Sequence, residues 1–219
     1  MSVLDKLATA LDRRDEVPNQ ELARRIVRDR NAAAVKELVE NLNHQNKAIQ
    51  SDCIKVLYEI GGSNPDLIAR YYKVFAKQLD SKNNRVVWGA MMALDTIALK
   101  EPKGVYGMLA RILEVADESG SVIARDHAVG ILVKLGTLKL YKRDCLALLL
   151  EQLMSCPNNQ FPMYVEMAFP VIDADNRKRF QQVMEKRLPK LERESQKKRV
   201  AKVLKKLTPE QAKDFRGFH

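Results

Sequence analysis

Aromatic residues are scarce in this chain of 219: one tryptophan, six tyrosines and six phenylalanines, 6% in all. A core must therefore be built from aliphatic side chains and alanine, within a hydrophobic fraction of 46%. The three cysteines, Cys53, Cys145 and Cys156, are odd in number and widely spaced, which excludes a disulfide framework. None of His44, His127 and His219 has a second His or Cys at ligand spacing, so no metal site is expected. Nine glycines and eight prolines are too few and too dispersed for a fibrous or disordered chain.

Long apolar runs are missing too. The best candidate, "CLALLLEQLM", is interrupted by Glu151 and falls far short of the roughly 20 residues that span a bilayer. Asp5, Lys6 and Asp12 break the first residues where a signal peptide would be continuous, so a soluble, cytoplasmic protein without a membrane span is expected. There is no glycine-rich phosphate loop and no G-x-S-x-G elbow, and no cofactor is expected. "DADNRK", from Asp173, begins like a calcium loop, but Arg177 and Lys178 occupy the positions that need an acid and a glycine. It is better suited to start a helix, where acidic side chains meet free N–H groups.

What is present is repetition. "NKAIQSDCIKVLYEIGG" from Asn46, "NNRVVWGAMMALDTIA" from Asn83, "SGSVIARDHAVGILVKLG" from Ser119 and "NNQFPMYVEMAFPVI" from Asn158 align in one register. Cys53, Ala90, Ala128 and Ala168 share one column, and Leu57, Leu94, Leu132 and Ile172 another. Each segment follows a second apolar-periodic stretch: "AAVKELVENL", "DLIARYYKVFAKQL", "GVYGMLARILEVA" and "YKRDCLALLLEQLM". Spacings of three and four, as in Leu109, Ile112 and Leu113, predict amphipathic helices, and polar joints such as "NHQN" and "DSKNN" predict turns. Pro65 and Pro102 suit first helical turns, Gly61 and Gly136 helix ends.

Pairs of antiparallel helices at this period resemble the HEAT repeat family over about residues 32–172. Arg125 stands where HEAT second helices often carry an arginine, a place taken by Gln50 and Val87 in the preceding units. The resemblance implies an all-α, right-handed α-solenoid of about four helix pairs, one domain over residues 1–219. Residues 1–31, with "SVLDKLATALDRR" and "PNQELARRIVRDR" as amphipathic helices, would cap one end. Residues 173–219 would cap the other with "ADNRKRFQQVMEKRL" and "PKLERESQKKRVAKVLKKL", separated at Pro189. "TPEQ", Thr208 through Gln211, matches a capping box for a last short helix ended by Gly217.

Charge is unevenly placed. Of the 38 Lys and Arg and 28 Asp and Glu, 13 and 3 fall between Asn176 and Lys206, leaving 25 of each elsewhere. The whole net charge of +10 thus sits in one segment. Stripes of Phe180, Val183, Met184 and Leu188, then Val200, Val203, Leu204 and Leu207, should pack inward. That leaves Arg177, Lys178, Arg179, Lys186 and Arg187, then Lys197, Lys198, Arg199, Lys202, Lys205 and Lys206, facing water as a candidate site for phosphates or acidic protein surfaces.

In the second repeat, Val86, Ala90, Ala93, Leu94 and Ile97 form the shared stripe and Met91 fills the core beside it. Trp88 and Met92 lie on another flank and are expected against a neighbouring helix, although a concave surface would also include them with Gln50 and Arg125. Cys53 takes a core alanine's place and is expected buried, His127 packed or solvated, and Glu114, Asp117 and Glu118 solvated. The resemblance implies a non-enzymatic scaffold that binds a protein partner through its concave face or its basic C-terminal helices. Candidate binding residues are Trp88, Met92 and Arg125 with Arg177, Lys178, Arg179, Lys197, Lys198, Arg199, Lys202, Lys205 and Lys206. The alternative is sequence-nonspecific nucleic-acid binding. Some HEAT-like proteins are DNA glycosylases for alkylated bases, but this chain has no tryptophan cluster.

Overall fold

The structure, a computed structural model, describes residues 2–118 and 120–207; the expected capping box at Thr208–Gln211, its Gly217 terminus and His219 lie outside them. The described residues form twelve α-helices joined by turns and short 3-10 segments, with no strand. None of these helices is long and apolar enough to cross a membrane. The chain divides into two compact units, residues 1–131 and 132–219, and the division falls within a helix.

In the first unit the N-terminal stretch departs from expectation. "SVLDKLATALDRR" is not a helix; it makes a single 3-10 turn, Leu4–Lys6, followed by turns. Side chains from elsewhere hold its backbone instead: Asn19 accepts from the Ala8 N–H (3.0 Å) and Asp52 from the Thr9 N–H (2.7 Å). Val3, Leu7 and Ala8 are buried all the same. Helix α1 (Val17–Asp29) has proline at its start and ends where Arg30 turns left-handed, φ 46°. Asn31 then caps α2 (Ala32–Glu40) by accepting from the Ala34 N–H.

The second helices of the first two repeats are α3 (Lys47–Ser63) and α5 (Asn84–Ile97), capped by the side chains of Asn46 and Asn83. They pack side by side, α3 also against α1, and the shared columns are fully buried at Cys53, Leu57, Ala90 and Leu94. Met91 is buried as expected. Burial of the Cys53 thiol pushes its pKa up to about 12, the behaviour of a small hydrophobe.

The first helices of the second and third repeats are broken, against expectation. "DLIARYYKVFAKQL" becomes two 3-10 turns, Pro65–Leu67 and Ala69–Tyr71, and then α4 (Tyr72–Gln78). "GVYGMLARILEVA" is divided at Gly107–Met108 into α6 (Pro102–Tyr106) and α7 (Leu109–Glu118). Glycine is a poor helix former, and proline starts a turn it cannot extend backwards. Helix α8 (Val122–Gly136) follows, with Ala124, Ala128 and Leu132 buried. Each of these repeats therefore has more than the two helical pieces expected: two 3-10 turns, α4 and α5 in one, α6, α7 and α8 in the other.

The second unit contains α9 (Lys142–Ser155) and α10 (Phe161–Ala168), with α11 (Arg177–Arg187) packed on α9 and α12 (Glu194–Leu207) packed on α10 and α11. Pro170, in a 3-10 turn, ends α10 before Ile172, so Val171 is the buried residue there. Pro189 sits in a 3-10 turn between α11 and α12, as expected. Asp173 accepts the N–H groups of Asp175 and Asn176 just ahead of α11 and pairs with Lys142, which holds its carboxyl below the usual range.

Candidate functional site

The first unit carries an open groove of about 600 Å³. One wall is the N-terminal stretch from Ala8 to Asn19; the floor and other wall come from α3 and α5, with Ile123 of α8. Close packing of α3 on α5 sets the floor: a Cβ on Gly89 would lie 2.5 and 2.9 Å from side-chain carbons of Ile54. At Gly61 an added Cβ would collide with Thr96 and Ile68. Helices this close turn their next-door flanks outward together. Tyr58 and Lys55 thus stand beside Trp88 and Met92, all half-buried.

The repeat register explains the lining. Ala48, Arg85 and Ile123 form one column, Ser51 and Trp88 a second, Lys55 and Met92 a third, and all seven line the groove. The column singled out from sequence, Gln50, Val87 and Arg125, faces another way. Gln50 donates to the His44 carbonyl and accepts from Asn83, Val87 is buried, and Arg125 pairs with Asp117 at 3.2 Å. Trp88 and Met92, expected against a neighbouring helix, are half-buried and line this groove beside α3.

Asp52 fixes the N-terminal wall. Besides the Thr9 N–H it accepts from Asn19 Nδ2 (2.8 Å), and Asn19 is buried. The other carboxylates of the groove are also occupied: Asp15 with Arg13 and Glu16 with Lys55, each at 2.7 Å. Lys55 also reaches Glu59 (2.7 Å) and lies 4.8 Å from the centre of the Tyr58 ring. Burial works against its charge, but the hydrogen bonds to Glu16 and Glu59 outweigh it and hold the Lys55 pKa above the usual value. Arg14 and Arg85, by contrast, are ion-paired with none of the described residues.

Two shallower hollows continue the groove. Beyond Ala48, Ser51 and Arg85, one is completed by Lys47, Lys82, Asn83 and Asn84, with no acidic lining. Beyond Tyr58 and Met92 the other is lined by Glu59, Gly62, Ser63, Thr96 and His127. His127 Nδ1 lies 2.9 Å from Asp95 Oδ2, which anchors the imidazole. Among the described residues no group of three His, Cys, Asp or Glu gathers as a metal site. Glu114, Asp117 and Glu118 are exposed as expected, and each has a surface partner: Arg111 pairs with Glu114, Glu118 and Asp80, and Arg125 with Asp117.

In the second unit the basic helices are partly neutralised. Arg187, expected to face water, is buried: it donates to the carbonyls of Leu153 (2.8 Å) and Met154 (3.2 Å) and to Asn158 Oδ1 (2.7 Å). Its guanidinium lies 4.5 Å from the Phe161 ring centre. Arg199 grips Glu166 with two hydrogen bonds (2.8 and 2.6 Å), Lys197 pairs with Glu194, and Lys206 sits over Phe169. Lys178, Arg179, Lys186, Lys198, Lys202 and Lys205 are exposed and Arg177 half-buried, while Phe180, Met184, Val200 and Val203 are buried as the stripes predict.

Neither a protein-family model nor a curated protein matches this chain. Solved structures do. An engineered protein shares 21% identity over 95% of this chain and 99% of its own, with a TM-score of 0.61. A designed armadillo repeat protein in complex with the peptide (KR)4 shares 17% over 86% and 87%, TM-score 0.62. Computationally designed armadillo repeat proteins for modular peptide recognition share 16% over 93% and 97%, also 0.62. These likenesses define the fold: an all-α helical-repeat solenoid.

Proposed function

We propose that this protein is a non-enzymatic scaffold that holds an extended segment of a protein partner in the groove between residues 8–19 and helices α3 and α5. One observation carries this reading: Trp88, Met92 and Tyr58, the chain's only tryptophan among them, are half-buried and line the groove rather than lying in the core. An aromatic floor with a polar rim is the anatomy of a binding centre, where a few anchors supply most of the affinity. That solved structures of this fold include designed armadillo proteins for peptide recognition supports a peptide as the natural cargo.

Trp88 makes the test direct, because its emission reports the groove alone. Peptides selected from a displayed library on the immobilised protein should shift that emission when titrated in solution. Labelled peptide should bind at least about tenfold more weakly to Trp88→Ala and to Ala48→Trp, which fills the groove from an exposed position, with melting temperatures little changed. Selected peptides that bind both variants as tightly as the parent, leaving Trp88 emission unchanged, would refute the reading.

A further inference from the structure

We propose that the occupant of this groove is an acidic segment of a protein partner, with an apolar side chain seated on Trp88 and Met92 and carboxylates meeting Arg14, Arg85, Lys47 and Lys82. The inference rests on the groove being a peptide site and adds the chemistry of the peptide.

Every carboxylate lining the groove already has a partner inside the protein: Asp15 has Arg13, Glu16 has Lys55, and Asp52 has the Thr9 N–H and Asn19. Four exposed cations remain, Arg14 and Arg85 on the rim with Lys47 and Lys82 in the adjoining hollow, and none is ion-paired with a described residue. A basic peptide would find only carboxylates that it must first take from Arg13 and Lys55, and would meet four uncompensated cations of its own sign. An acidic peptide meets them with opposite charge, which steers encounter and fixes register.

The spacing suits an extended chain. Along α5, Arg85 and Met92 are about 10 Å apart at 1.5 Å per residue, a distance covered by three residues of extended peptide. A carboxylate about three residues from the apolar anchor would reach both. Duplex nucleic acid fits less well, because its closely spaced phosphates would also face Asp15, Glu16 and Asp52, where a peptide can place neutral residues.

The test uses three tryptophan-free twelve-residue probes, followed by Trp88 emission and by anisotropy. One is Glu/Asp-rich with a central Leu-Phe pair, one has that pair replaced by serines, and one keeps the pair but carries Lys/Arg. A short DNA duplex is the fourth probe. The first should bind best, and weaken several-fold on losing the apolar pair. Its affinity should also fall several-fold between about 50 and 300 mM salt. Arg85→Glu with Lys82→Glu should cost it at least about tenfold while leaving the melting temperature unchanged. Preference for the basic peptide, or an acidic-peptide affinity indifferent to the charge reversal, overturns this inference while the groove remains a peptide site. Duplex binding stronger than acidic-peptide binding and lost in the charge-reversed variant overturns it in favour of nucleic acid. If no peptide perturbs Trp88, the inference falls together with the function it rests on.

Discussion

Arg187 offers the sharpest test of how the second unit is held together. Its guanidinium is 5% exposed and satisfies two carbonyls at the C-terminal end of α9, together with Asn158 Oδ1 beyond it. Methionine at this position keeps the volume of the stem and removes only the charge and its donors. Hydrogen bonds from a charged group contribute about 1.5–3 kcal/mol net, and a buried carbonyl left without a donor costs about 1–3 kcal/mol. Against this stands the relieved desolvation of the cation, which offsets part of the loss. Arg187→Met should therefore destabilise by about 2–3 kcal/mol. Arg187→Ala adds a void beneath Phe161 and should cost about 4 kcal/mol. Arg187→Lys should resemble Met rather than the parent, since a single ammonium cannot reproduce the planar fork. Calorimetry and urea unfolding followed by circular dichroism measure all three. If Arg187→Met lies within 0.5 kcal/mol of the parent, the side chain faces water and its assignment as a helix-end anchor is wrong.

Two glycines in neighbouring helices should respond to the same change with opposite sign. Gly89→Ala drives a Cβ into Ile54 and should cost about 1–2 kcal/mol, whereas Gly62→Ala, with nothing within 4 Å, should gain about 0.5–1 kcal/mol; equal signs in urea melts would refute the close packing of α3 on α5. The hydrogen bond from Arg199 holds the Glu166 carboxyl below its ordinary 4.5, so its stabilisation is complete above about pH 4.5 and disappears as pH falls through the depressed value. Glu166→Gln should flatten the loss of melting temperature between pH 5 and 3, and an unchanged slope would show that the pair contributes nothing. All three cysteines are buried, with the Cys53 thiol pushed up to about 12 and the Cys145 thiol to about 11 by burial. A thiol reagent at pH 8 should label the protein only as it unfolds in urea, and prompt labelling of the native form would contradict that burial.

The core was legible because it depends on periodicity within each helix. The columns of Cys53 and Leu57 recur at Ala90 and Leu94, and all four are fully buried. Asn46 and Asn83, in the polar joints, turned out to cap the helices that follow them. Amphipathic patterning also placed Phe180 and Val200 inward. For the repeat columns and the C-terminal stripes, where periodicity within one helix supplied the information, the expectation held. It failed where breaks intervened, because the 3-10 turns after Pro65 and the division at Gly107 leave the apolar spacing almost unchanged.

The groove was not legible, for a different reason. The register contained its columns, yet periodicity cannot tell a flank that meets the next helix from one that meets open space. That choice rests on contacts remote in sequence: Asp52 holding Thr9, 43 residues away, and Gly89 admitting Ile54. Arg187 shows the same divide, since an arginine among lysines carries no sign that a helix end 34 residues earlier will bury it. The sequence by itself determined an all-helical repeat and the side chains that fill it. Only the tertiary structure decided which of the remaining side chains face open space, because that depends on the distance between helices rather than on the order of residues within one.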